Sequence, residues 1–407
     1  MPVLPPIAWL LMALSSASLT FWIIIWWRVC RTVRETPTIR RGLELSEPAP
    51  GWPKVSVIVP VHNGERVIDA CVESLRGQQY DNLQIIFVLD RCTDRTLPIL
   101  RRHAEADDRI TLLEIDACPP DWAGKCHAAR LGAGKATGEW LLFADADTQF
   151  DPWLVRASLA LAMDRSLGML SLLSTLTYQR AFERIIQPVA IMNLIRMYPI
   201  ERVNRPEPGR IRPFANGQFM LFDRKWYEQI GGHEAVKDDL LEDIALARRL
   251  SDAGGQGGLF AADGMLTCSM YDSPEALKTG WKRIFIEACK RKPRRLRSNA
   301  WKNAGIGLAA PSVQLLALVV GFLLLWRELP LPWLGLALIG LAVIGSGIHL
   351  MSLLRIYDLC GAPRTAAVYY PIGCWSIGSV MFAAARDLKK RRPVIWADRE
   401  YVLEPRY

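Results

Sequence analysis

The hydrophobic and polar positions of the chain are distributed unevenly. Four stretches contain no Asp, Glu, Lys or Arg: residues 1–27, 303–326, 329–354 and 365–385. Each is close to the roughly 20 residues that a helix needs to cross a bilayer. The pattern therefore predicts a membrane protein with a soluble part between its first and second apolar stretches, and it excludes an ordinary soluble protein.

The first apolar stretch is predicted to be a retained membrane anchor. A secretory signal peptide has a basic start, a short apolar core and a small-residue cleavage site. This stretch instead begins without charge and ends in Trp26-Trp27-Arg28. The adjoining residues 28–41 carry a net charge of +4, and the positive-inside rule places them in the cytoplasm.

The C-terminal apolar stretches predict a helical hairpin followed by one further segment. Residues 304–326 and 331–354 are joined by the short link 327–330, which favours two helices that enter and leave the membrane. Residues 365–385 contain one proline and two glycines, so this segment is either a third span or a re-entrant segment. Because the tail 386–407 begins with five basic residues and one acidic residue, we expect it to be cytoplasmic.

The soluble part begins with a regular alternation of strand and helix patterns. Apolar runs typical of buried strands alternate with helical patterns. The predicted strands are 55–61, 83–89, 110–115 and 140–144. Three helices are predicted between them: one that ends at residue 76, one over 94–106 and one over 125–136. This order predicts an α/β fold with a mostly parallel sheet and right-handed crossovers.

The second half of the soluble part is less regular. We expect a strand at 214–222, a helix at 240–250, and a hairpin formed by 259–260 and 265–270. The basic stretch 282–302, with a net charge of +8, then leads into the membrane. Basic residues beside apolar stretches favour contact with anionic lipids.

The overall composition narrows the class of protein. Hydrophobic residues make up 51% and charged residues 22% of the chain, which excludes a disordered or collagen-like protein. The nine cysteines form no CxxC pair, which argues against a disulfide framework or a zinc site. The net charge of +9 raises nucleic-acid binding as an alternative, but no recognisable nucleic-acid module accompanies it.

Acidic residues follow two of the predicted strands. Asp90 follows the second strand, and Asp145 and Asp147 follow the fourth. Ligands of parallel sheets bind at the carboxyl ends of the strands, where two carboxylates can share Mg²⁺ or Mn²⁺. The alternatives for this pair are a solvated acidic loop or a helix cap, and Gln149 is either a further oxygen ligand or a surface amide.

Two other charged positions are candidates for chemistry. Asp243, near a predicted helix start, can act as a general base toward an attacking hydroxyl, or can simply be stabilised by the helix dipole. Lys125, after Gly124 at another helix start, adds positive charge where anions are favoured. Asp90 can accept hydrogen bonds from a base or a ribose, while Asp94 is predicted to cap the next helix.

Trp281, Lys282 and Arg283 begin the basic stretch beside the membrane. We favour a helix on the lipid surface with Trp281 at the interface. The alternative is an acceptor site in which Trp281 stacks on a sugar or a lipid headgroup. The histidines have no metal-ligand spacing, although His233 is close in sequence to Asp243.

In combination, five ordered motifs resemble a membrane-anchored family 2 glycosyltransferase. They are VSVIVPVHN (55–63), LDRCTD (89–94), DADT (145–148), ANGQFMLF with IGGHE (215–222 and 230–234) and LEDIALARRL (241–250). Three further segments resemble the branch of ceramide glucosyltransferase-like enzymes and of bacterial enzymes tied to carotenoids and hopanoids. These are DWAGK (121–125), MYDSPEALKTGW (270–281) and VIWADREY (394–401).

The resemblance implies a Rossmann-like GT-A fold, a nucleotide-sugar donor (a UDP-sugar), a divalent Mg or Mn ion, and a lipid or lipid-linked acceptor. The implied donor-binding residues are Asp90, Lys125, Asp145, Gly217 and Gln218, the implied metal ligands are Asp145 and Asp147, and the implied catalytic base is Asp243. Processive members carry Gln-x-x-Arg-Trp, whereas Trp281 here follows Thr279-Gly280. The expected activity is therefore inverting, metal-dependent and non-processive.

The expected organisation has six parts. They are a transmembrane anchor (1–30), a cytoplasmic linker (31–53), the GT-A domain (54–281), a basic membrane-interface segment (282–303), a C-terminal membrane region (304–385) and the tail (386–407). We expect an integral protein of the bacterial inner membrane whose catalytic domain faces the cytoplasm and binds no nucleic acid.

Three other functions compete with this interpretation. Transfer to a polyprenyl phosphate would use the basic residues 282–297 to bind phosphate. A processive polysaccharide synthase is disfavoured by the missing Arg-Trp motif. A catalytically inactive scaffold or nucleotide-sugar sensor would have no need of the four carboxylates Asp90, Asp145, Asp147 and Asp243.

Overall fold

The computed structural model describes residues 4–49, 51–198, 203–204, 213–326, 332–396 and 399–406. These residues form twelve strands: β1 (Val55–Val61), β2 (Leu83–Asp90), β3 (Ile110–Ile115), β4 (Trp140–Ala144), β5 (Thr148–Phe150), β6 (Met169–Leu173), β7 (Thr175–Leu176), β8 (Phe219–Asp223), β9 (Gly257–Ala261), β10 (Leu266–Cys268), β11 (Val394–Trp396) and β12 (Arg399–Tyr401).

The α-helices of the same residues pack around the strands and form the apolar regions at both ends. They are α1 (Leu4–Glu35), α2 (Ile68–Arg76), α3 (Thr96–Ala104), α4 (Gly124–Lys135), α5 (Leu154–Asp164), α6 (Ala181–Met197), α7 (Arg224–Gln229), α8 (Glu242–Asp252), α9 (Pro274–Ala288), α10 (Pro293–Ala304), α11 (Ala310–Trp326), α12 (Pro332–Leu359) and α13 (Tyr370–Lys389).

A seven-stranded sheet with the order β3-β2-β1-β4-β8-β6-β9 is the centre of the soluble part. Neighbouring strands from β3 to β4 are parallel, and β8 runs antiparallel to both of its neighbours. β1 is buried on both faces, as its continuous apolar sequence requires in a sheet covered by helices on both sides. The predicted α/β fold with a mostly parallel sheet is confirmed.

A second, three-stranded sheet has the order β5-β10-β7, and it corrects the predicted hairpin. β9 pairs with β6 in the large sheet, whereas β10 pairs with β5 and β7 in the small one. The two segments therefore do not pair with each other. The turn between them leads the chain from one sheet to the next, and a local alternation of residues cannot reveal that change of partner.

The predicted strand at 214–222 is also shorter than expected. Only Phe219–Asp223 is a strand, because the backbone before it bonds elsewhere. The Asn216 N–H donates to Ser171 Oγ at 2.8 Å, and the Gly217 N–H donates to Asp243 Oδ2 at 2.9 Å. These contacts turn Gly217 and Gln218 toward the carboxyl end of β4.

Among the described residues, four helical segments are long and apolar enough to cross a membrane: Pro6–Glu35, Pro293–Trp326, Pro332–Leu359 and Arg364–Lys389. α1, α11 and α12 pack against one another. α11 and α12 approach closely at two glycines, since a Cβ on Gly321 would lie 2.9 Å from the Gly335 carbonyl oxygen. The predicted link 327–330 lies outside the described residues.

α13 has a different environment from the other apolar helices. It packs against α6, α9 and α10 of the soluble part, and half of its most apolar window is buried. Lys282 on α9 forms an ion pair with Asp387 on α13 at 2.6 Å. α13 and α9 are thereby fastened to each other.

Candidate active site

A cavity of about 1480 Å³ opens at the carboxyl ends of β1, β2 and β4. Its wall contains the whole set of predicted donor-site, metal-site and base residues: Asp90, Lys125, Asp145, Asp147, Gly217, Gln218 and Asp243. These positions are spread over more than 150 residues of sequence, and the topology of the sheet brings them together. The carboxyl ends of parallel strands meet at one edge, which is where ligands of such sheets bind.

Lys125 lies between two carboxylates in the floor of this cavity. Its Nζ is 2.6 Å from Asp145 Oδ1 and 2.7 Å from Glu242 Oε1. Burial lowers the pKa of Lys125, but the two negative charges outweigh burial and the net shift is upward. Lys125 therefore remains a positively charged ammonium group with fixed neighbours. From its position beside the sheet, it can attract an anion that binds in the cavity.

Asp243 occupies the first turn of α8 beside the backbone of Gly217. Its Oδ2 accepts the Gly217 N–H at 2.9 Å and its Oδ1 accepts the Ile244 N–H at 2.7 Å. Burial raises the pKa of the Asp243 carboxyl to about 7, and the adjacent Glu242 charge adds to the shift. A carboxyl with a pKa near 7 is suited to accept a proton at neutral pH.

A side chain at position 217 would crowd these charged groups. A Cβ there would lie 3.0 Å from Lys125 Nζ and 3.4 Å from Asp243 Oδ2. The adjoining Gln218 side chain donates to the thiol sulfur of Cys268 at 3.0 Å. Gly217 thus borders the open cavity, while the Gln218 side chain points toward the layer beneath it.

Asp147 presents the strongest structural indication of a cation site. Its Oδ1 is buried and has no hydrogen-bond partner among the described residues. Burial, together with the charge of Asp145, raises the pKa of the Asp147 carboxyl to about 7. A buried carboxylate oxygen without a partner is costly, and a divalent cation would satisfy it.

One alternative role of this acidic segment, a helix cap, does not hold. Asp147 does not cap a helix, since Thr148 begins β5 directly after it. Gln149 is exposed on β5 and does not line the cavity, so its interpretation as a surface amide is the better one. His233 is buried beneath the site, with its Nδ1 2.9 Å from the Tyr227 hydroxyl.

Asp90 is held by the residue that follows it. The Arg91 guanidinium donates to both carboxylate oxygens of Asp90, at 2.8 Å each, and Arg91 adopts a left-handed backbone with φ of 50°. A carboxylate has about four acceptor positions, so Asp90 can still accept from a ligand. Asp94 is structural as predicted, since it accepts the amide and the hydroxyl of Thr96.

The comparisons with known proteins show which family the sheet domain is similar to. Residues 56–231 match the profile described as "Glycosyl transferase family 2". This part of the chain is therefore similar to glycosyltransferase family 2 domains. The matched region contains β1 to β8 and the residues predicted to bind the donor and the metal, whereas Asp243 lies beyond its end.

Curated relatives of the family 2 domain are bacterial. A 4,4'-diaponeurosporenoate glycosyltransferase of Staphylococcus aureus (strain bovine RF122 / ET3-1) is 24% identical over 248 residues, which are 59% of this chain and 63% of the relative. The putative glycosyltransferase EpsH of Bacillus subtilis is 34% identical over 100 residues, 25% of this chain and 28% of the relative. The chain thus spans less than two thirds of these relatives.

The fold of a solved structure extends the likeness to the apolar helices. The mannosyltransferase PcManGT of Pyrobaculum calidifontis, in complex with GDP-Man and Mn²⁺, matches with a TM-score of 0.54 and 18% identity. The match covers 94% of this chain and 98% of that one. At this identity the likeness is one of fold, and its coverage extends beyond residues 56–231 to the segments that contain the apolar helices.

The residues predicted to contact the acceptor or the membrane lie beyond the matched region. Trp281 is 2% exposed and stacks on Phe285 with ring centroids 5.5 Å apart, so it does not lie on a lipid surface as we had favoured. Trp281 and Arg283 line the cavity, whereas Lys282 turns away to Asp387. α9 packs against α13 and α6, and Trp281 lies on its buried face.

Several residues of the site were not anticipated from the sequence. Glu242 is buried and forms an ion pair with Lys125. In the sequence, only its position next to Asp243 indicated a role in the site. Arg91 on Asp90, and Cys268 beneath Asp147, had no sequence signal. A separate cluster of Asp69, Glu73 and His103 has carboxylate and imidazole atoms close enough for a metal, but Arg102 already bonds to Asp69 at 2.7 Å.

Proposed function

We propose that the chain is an inverting, metal-dependent, non-processive glycosyltransferase that moves a sugar from a nucleotide-sugar to a lipid or lipid-linked acceptor. The observation that carries the proposal is one cavity that joins Lys125, Asp147 and Asp243 to the ends of α1 and α12. The cavity thus has a charged end that suits a nucleotide diphosphate and an apolar end that suits a lipid, and the two ends are connected. The name of the diaponeurosporenoate glycosyltransferase relative indicates a lipid-like acceptor, and this supports the choice of acceptor.

The geometry suits a single displacement at the anomeric carbon. Asp243 accepts the proton of the acceptor hydroxyl while the hydroxyl oxygen forms its bond to the anomeric carbon, and the bond from that carbon to the diphosphate breaks. Attack from the face opposite to the leaving group inverts the anomeric configuration. Lys125 supplies fixed positive charge near the departing diphosphate, and electrostatic stabilisation of this kind is usually a large part of catalysis.

Asp147 and Asp145 are the residues that would hold the divalent cation. Their carboxylate oxygens are the hard donors that Mg²⁺ and Mn²⁺ prefer, and the partnerless Oδ1 of Asp147 fits such a ligand. The bound cation would neutralise charge on the diphosphate. Gly217 and Asp90 would border the sugar and the nucleoside, respectively.

Replacement of Asp147 tests the metal site. We expect Asp147→Asn to weaken Mn²⁺ binding at least tenfold, because an amide removes the charge that attracts the cation. Binding is measured by titrating the purified protein with Mn²⁺ and following the free ion by electron paramagnetic resonance. Asp164→Asn, at the exposed end of α5, is the matched control, and equal Mn²⁺ affinity in both variants would contradict the assignment.

The acceptor end of the cavity has an apolar wall contributed by α6. Ile191, Leu194 and Ile195 line it, together with Val33 at the end of α1 and Leu359 at the end of α12. Apolar side chains at the ends of two candidate spans are where the chain of a membrane lipid would arrive. We therefore place the entry of the acceptor between α1, α6 and α12.

An enlarged side chain on α6 should obstruct this entry. We expect Leu194→Trp to raise the KM for a lipid acceptor about tenfold and to leave nucleotide binding unchanged, because the larger tryptophan side chain would narrow the apolar part of the cavity that α6 lines. Initial rates at varied acceptor concentration give the KM. Leu315→Trp on the exposed face of α11 is the control, and a matching KM in the two variants would argue against this entry.

Transfer to a polyprenyl phosphate is a second candidate, favoured by one observation. Arg34 and Arg355 line the acceptor end of the cavity, and arginine binds phosphate well. The product separates the candidates, since a glycolipid supports the first and a sugar on polyprenyl phosphate supports the second.

We also propose that the catalytic domain and the tail share the cytoplasmic side of a bacterial inner membrane. The tail is bonded to the domain, as Arg399 donates to the Trp122 carbonyl at 2.9 Å, and α13 packs on α9 and α10. This arrangement favours α13 as an interfacial or re-entrant helix. The side of the membrane on which the tail lies can be tested by adding a membrane-impermeant, cysteine-reactive probe to intact cells whose protein carries a cysteine in the tail.

The assay for the function measures UDP or GDP release from a panel of nucleotide-sugars. The protein is purified in detergent and supplied with bacterial lipid extract and Mn²⁺ or Mg²⁺. Release that requires both lipid and metal supports the proposal. Nucleotide binding without release under any of these conditions would favour an inactive sensor instead.

A further inference from the structure

The C-terminal tail is folded onto the family 2 domain next to the nucleotide end of the cavity. Its two short strands, β11 and β12, pair antiparallel, and Val394 and Leu403 on either side of them are buried. The backbone N–H of Arg406 donates to the Arg291 carbonyl at 2.8 Å. The tail is thus an ordered element of the domain.

Arg399 fastens the tail to the loop between β3 and α4. Its NH1 lies 2.8 Å from the Cys118 sulfur and donates to the Trp122 carbonyl at 2.9 Å, and its NH2 donates to the Pro119 carbonyl at 3.3 Å. Several hydrogen bonds from one guanidinium to neighbouring acceptors fix orientation as well as position. Arg399 therefore sets where the next residues of β12 lie.

Tyr401 is the residue that this attachment brings to the cavity. Its side chain lines the cavity together with Asp90, Gly124 and Lys125, and its hydroxyl accepts the Gly124 N–H at 3.4 Å. Gly124 is itself close to Asp90, since a Cβ on it would lie 2.9 Å from Asp90 Oδ2. A tyrosine ring, a buried carboxylate and a glycine backbone thus meet at one place.

We propose that Tyr401 forms one wall of the donor-nucleotide site and contacts the base or ribose of the bound nucleotide, with Arg399 as its positioning residue. The inference rests on the proposed function, because it requires a nucleotide at Asp90. A flat aromatic side chain beside a hydrogen-bonding carboxylate suits a heterocyclic base, which offers both a face and polar edges. The tail would then complete a site whose other residues come from β2 and α4.

Side chains on β12 alternate between the two faces of the strand, and this provides a matched control for the Tyr401 variants. Tyr401 is half-buried toward the domain, whereas Glu400 beside it is exposed. Loss of an aromatic ring that stacks on a base is expected to weaken binding roughly tenfold. We therefore expect Tyr401→Ala to raise the Kd for UDP or GDP about tenfold, Tyr401→Phe to retain most of the affinity, and Glu400→Ala to behave as the unchanged chain.

The experiment is isothermal titration calorimetry of the full-length protein in detergent with UDP and with GDP, which gives the Kd. Steady-state kinetics then give the KM values. A contact with the nucleotide raises the KM for the nucleotide-sugar and leaves the KM for the acceptor unchanged, whereas a merely structural loss would affect both and would lower the melting temperature. Arg399→Ala is expected to raise the Kd as Tyr401→Ala does, and the double variant should add little further.

Two negative outcomes are distinguishable. If the unchanged chain binds UDP or GDP and Tyr401→Ala binds it equally well, the inference is overturned and the proposed function stands. If the unchanged chain binds neither nucleotide, the proposed function fails, and the inference fails with it.

Discussion

Asp243→Asn is expected to reduce kcat for sugar transfer by about 10²–10⁴-fold, the range that a positioned general base contributes, without weakening nucleotide binding. The asparagine has nearly the same shape, and its amide oxygen can still accept the Gly217 N–H that Asp243 accepts at 2.9 Å. It cannot accept the proton of an attacking hydroxyl. The loss should therefore appear in the rate of the chemical step.

The pH dependence provides an independent check of this role. A base acts only when it is deprotonated, and burial raises the pKa of the Asp243 carboxyl to about 7. We expect kcat/KM to rise with pH up to about 7 and to level off above it, and this acidic limb should be missing from the residual activity of Asp243→Asn. Rates are measured from pH 5.5 to 9 at saturating Mn²⁺.

Asp252→Asn is the matched control, since Asp252 is the exposed last residue of the same helix. It should retain full activity and the same acidic limb. An Asp243→Asn variant with more than about a tenth of the original kcat would contradict the assignment and would move the search for the base to another carboxylate of the cavity.

The first half of the sheet domain is predictable from the sequence because β1, β2 and β4 are almost wholly buried and have nearly continuous apolar sequences. β1 and β3 have the predicted bounds, and β2 is one residue longer than predicted. A continuous apolar run between turn residues has few alternative structures. The local sequence pattern is sufficient to predict a strand when the residues of that segment alone determine whether the strand is buried.

Pairing partners, in contrast, depend on contacts across the chain. β9 and β10 were predicted to pair with each other because they are neighbours in sequence, but they belong to different sheets. The buried face of α9 likewise depends on α13, which begins 82 residues after α9 ends. The sequence places Trp281 correctly on a helix, but it cannot show which neighbour covers that residue.

The same distinction applies to the candidate site. Carboxylates at strand ends are predictable, because the ends of parallel strands converge. The partners of those carboxylates are not: Glu242 reaches Lys125, and Tyr401 reaches Gly124, across 117 and 277 positions respectively. Such contacts determine charge and shape within the cavity, and only the folded structure reveals them.

Lys125→Met is expected to have the largest effect on stability among the variants considered. Lys125 is the cation between Asp145 and Glu242, at 2.6 and 2.7 Å, and the Glu242 side chain is 4% exposed. Burial raises the pKa of Glu242, and Lys125 outweighs burial to hold that pKa low. Removing one partner of a buried ion pair leaves an uncompensated charge, at a cost of about 3–5 kcal/mol.

The melting temperature of the metal-free protein in detergent, with a chelator present, measures this effect. A destabilisation of that size corresponds to a decrease of roughly 10 °C for a domain of this length. Lys135→Met, at the exposed end of the same helix α4, should melt like the unchanged chain. A Lys125→Met variant that also melts unchanged would show that the three groups are not coupled.

A second substitution separates charge from packing in this cluster. We expect Glu242→Gln, combined with Lys125→Met, to restore part of the melting temperature, because the amide needs no buried counter-charge. The double variant should nevertheless remain inactive, since the positive charge that faces the diphosphate is still missing. Recovery of stability without recovery of activity would show that Lys125 balances the buried carboxylates in the folded protein and separately serves the reaction through its charge.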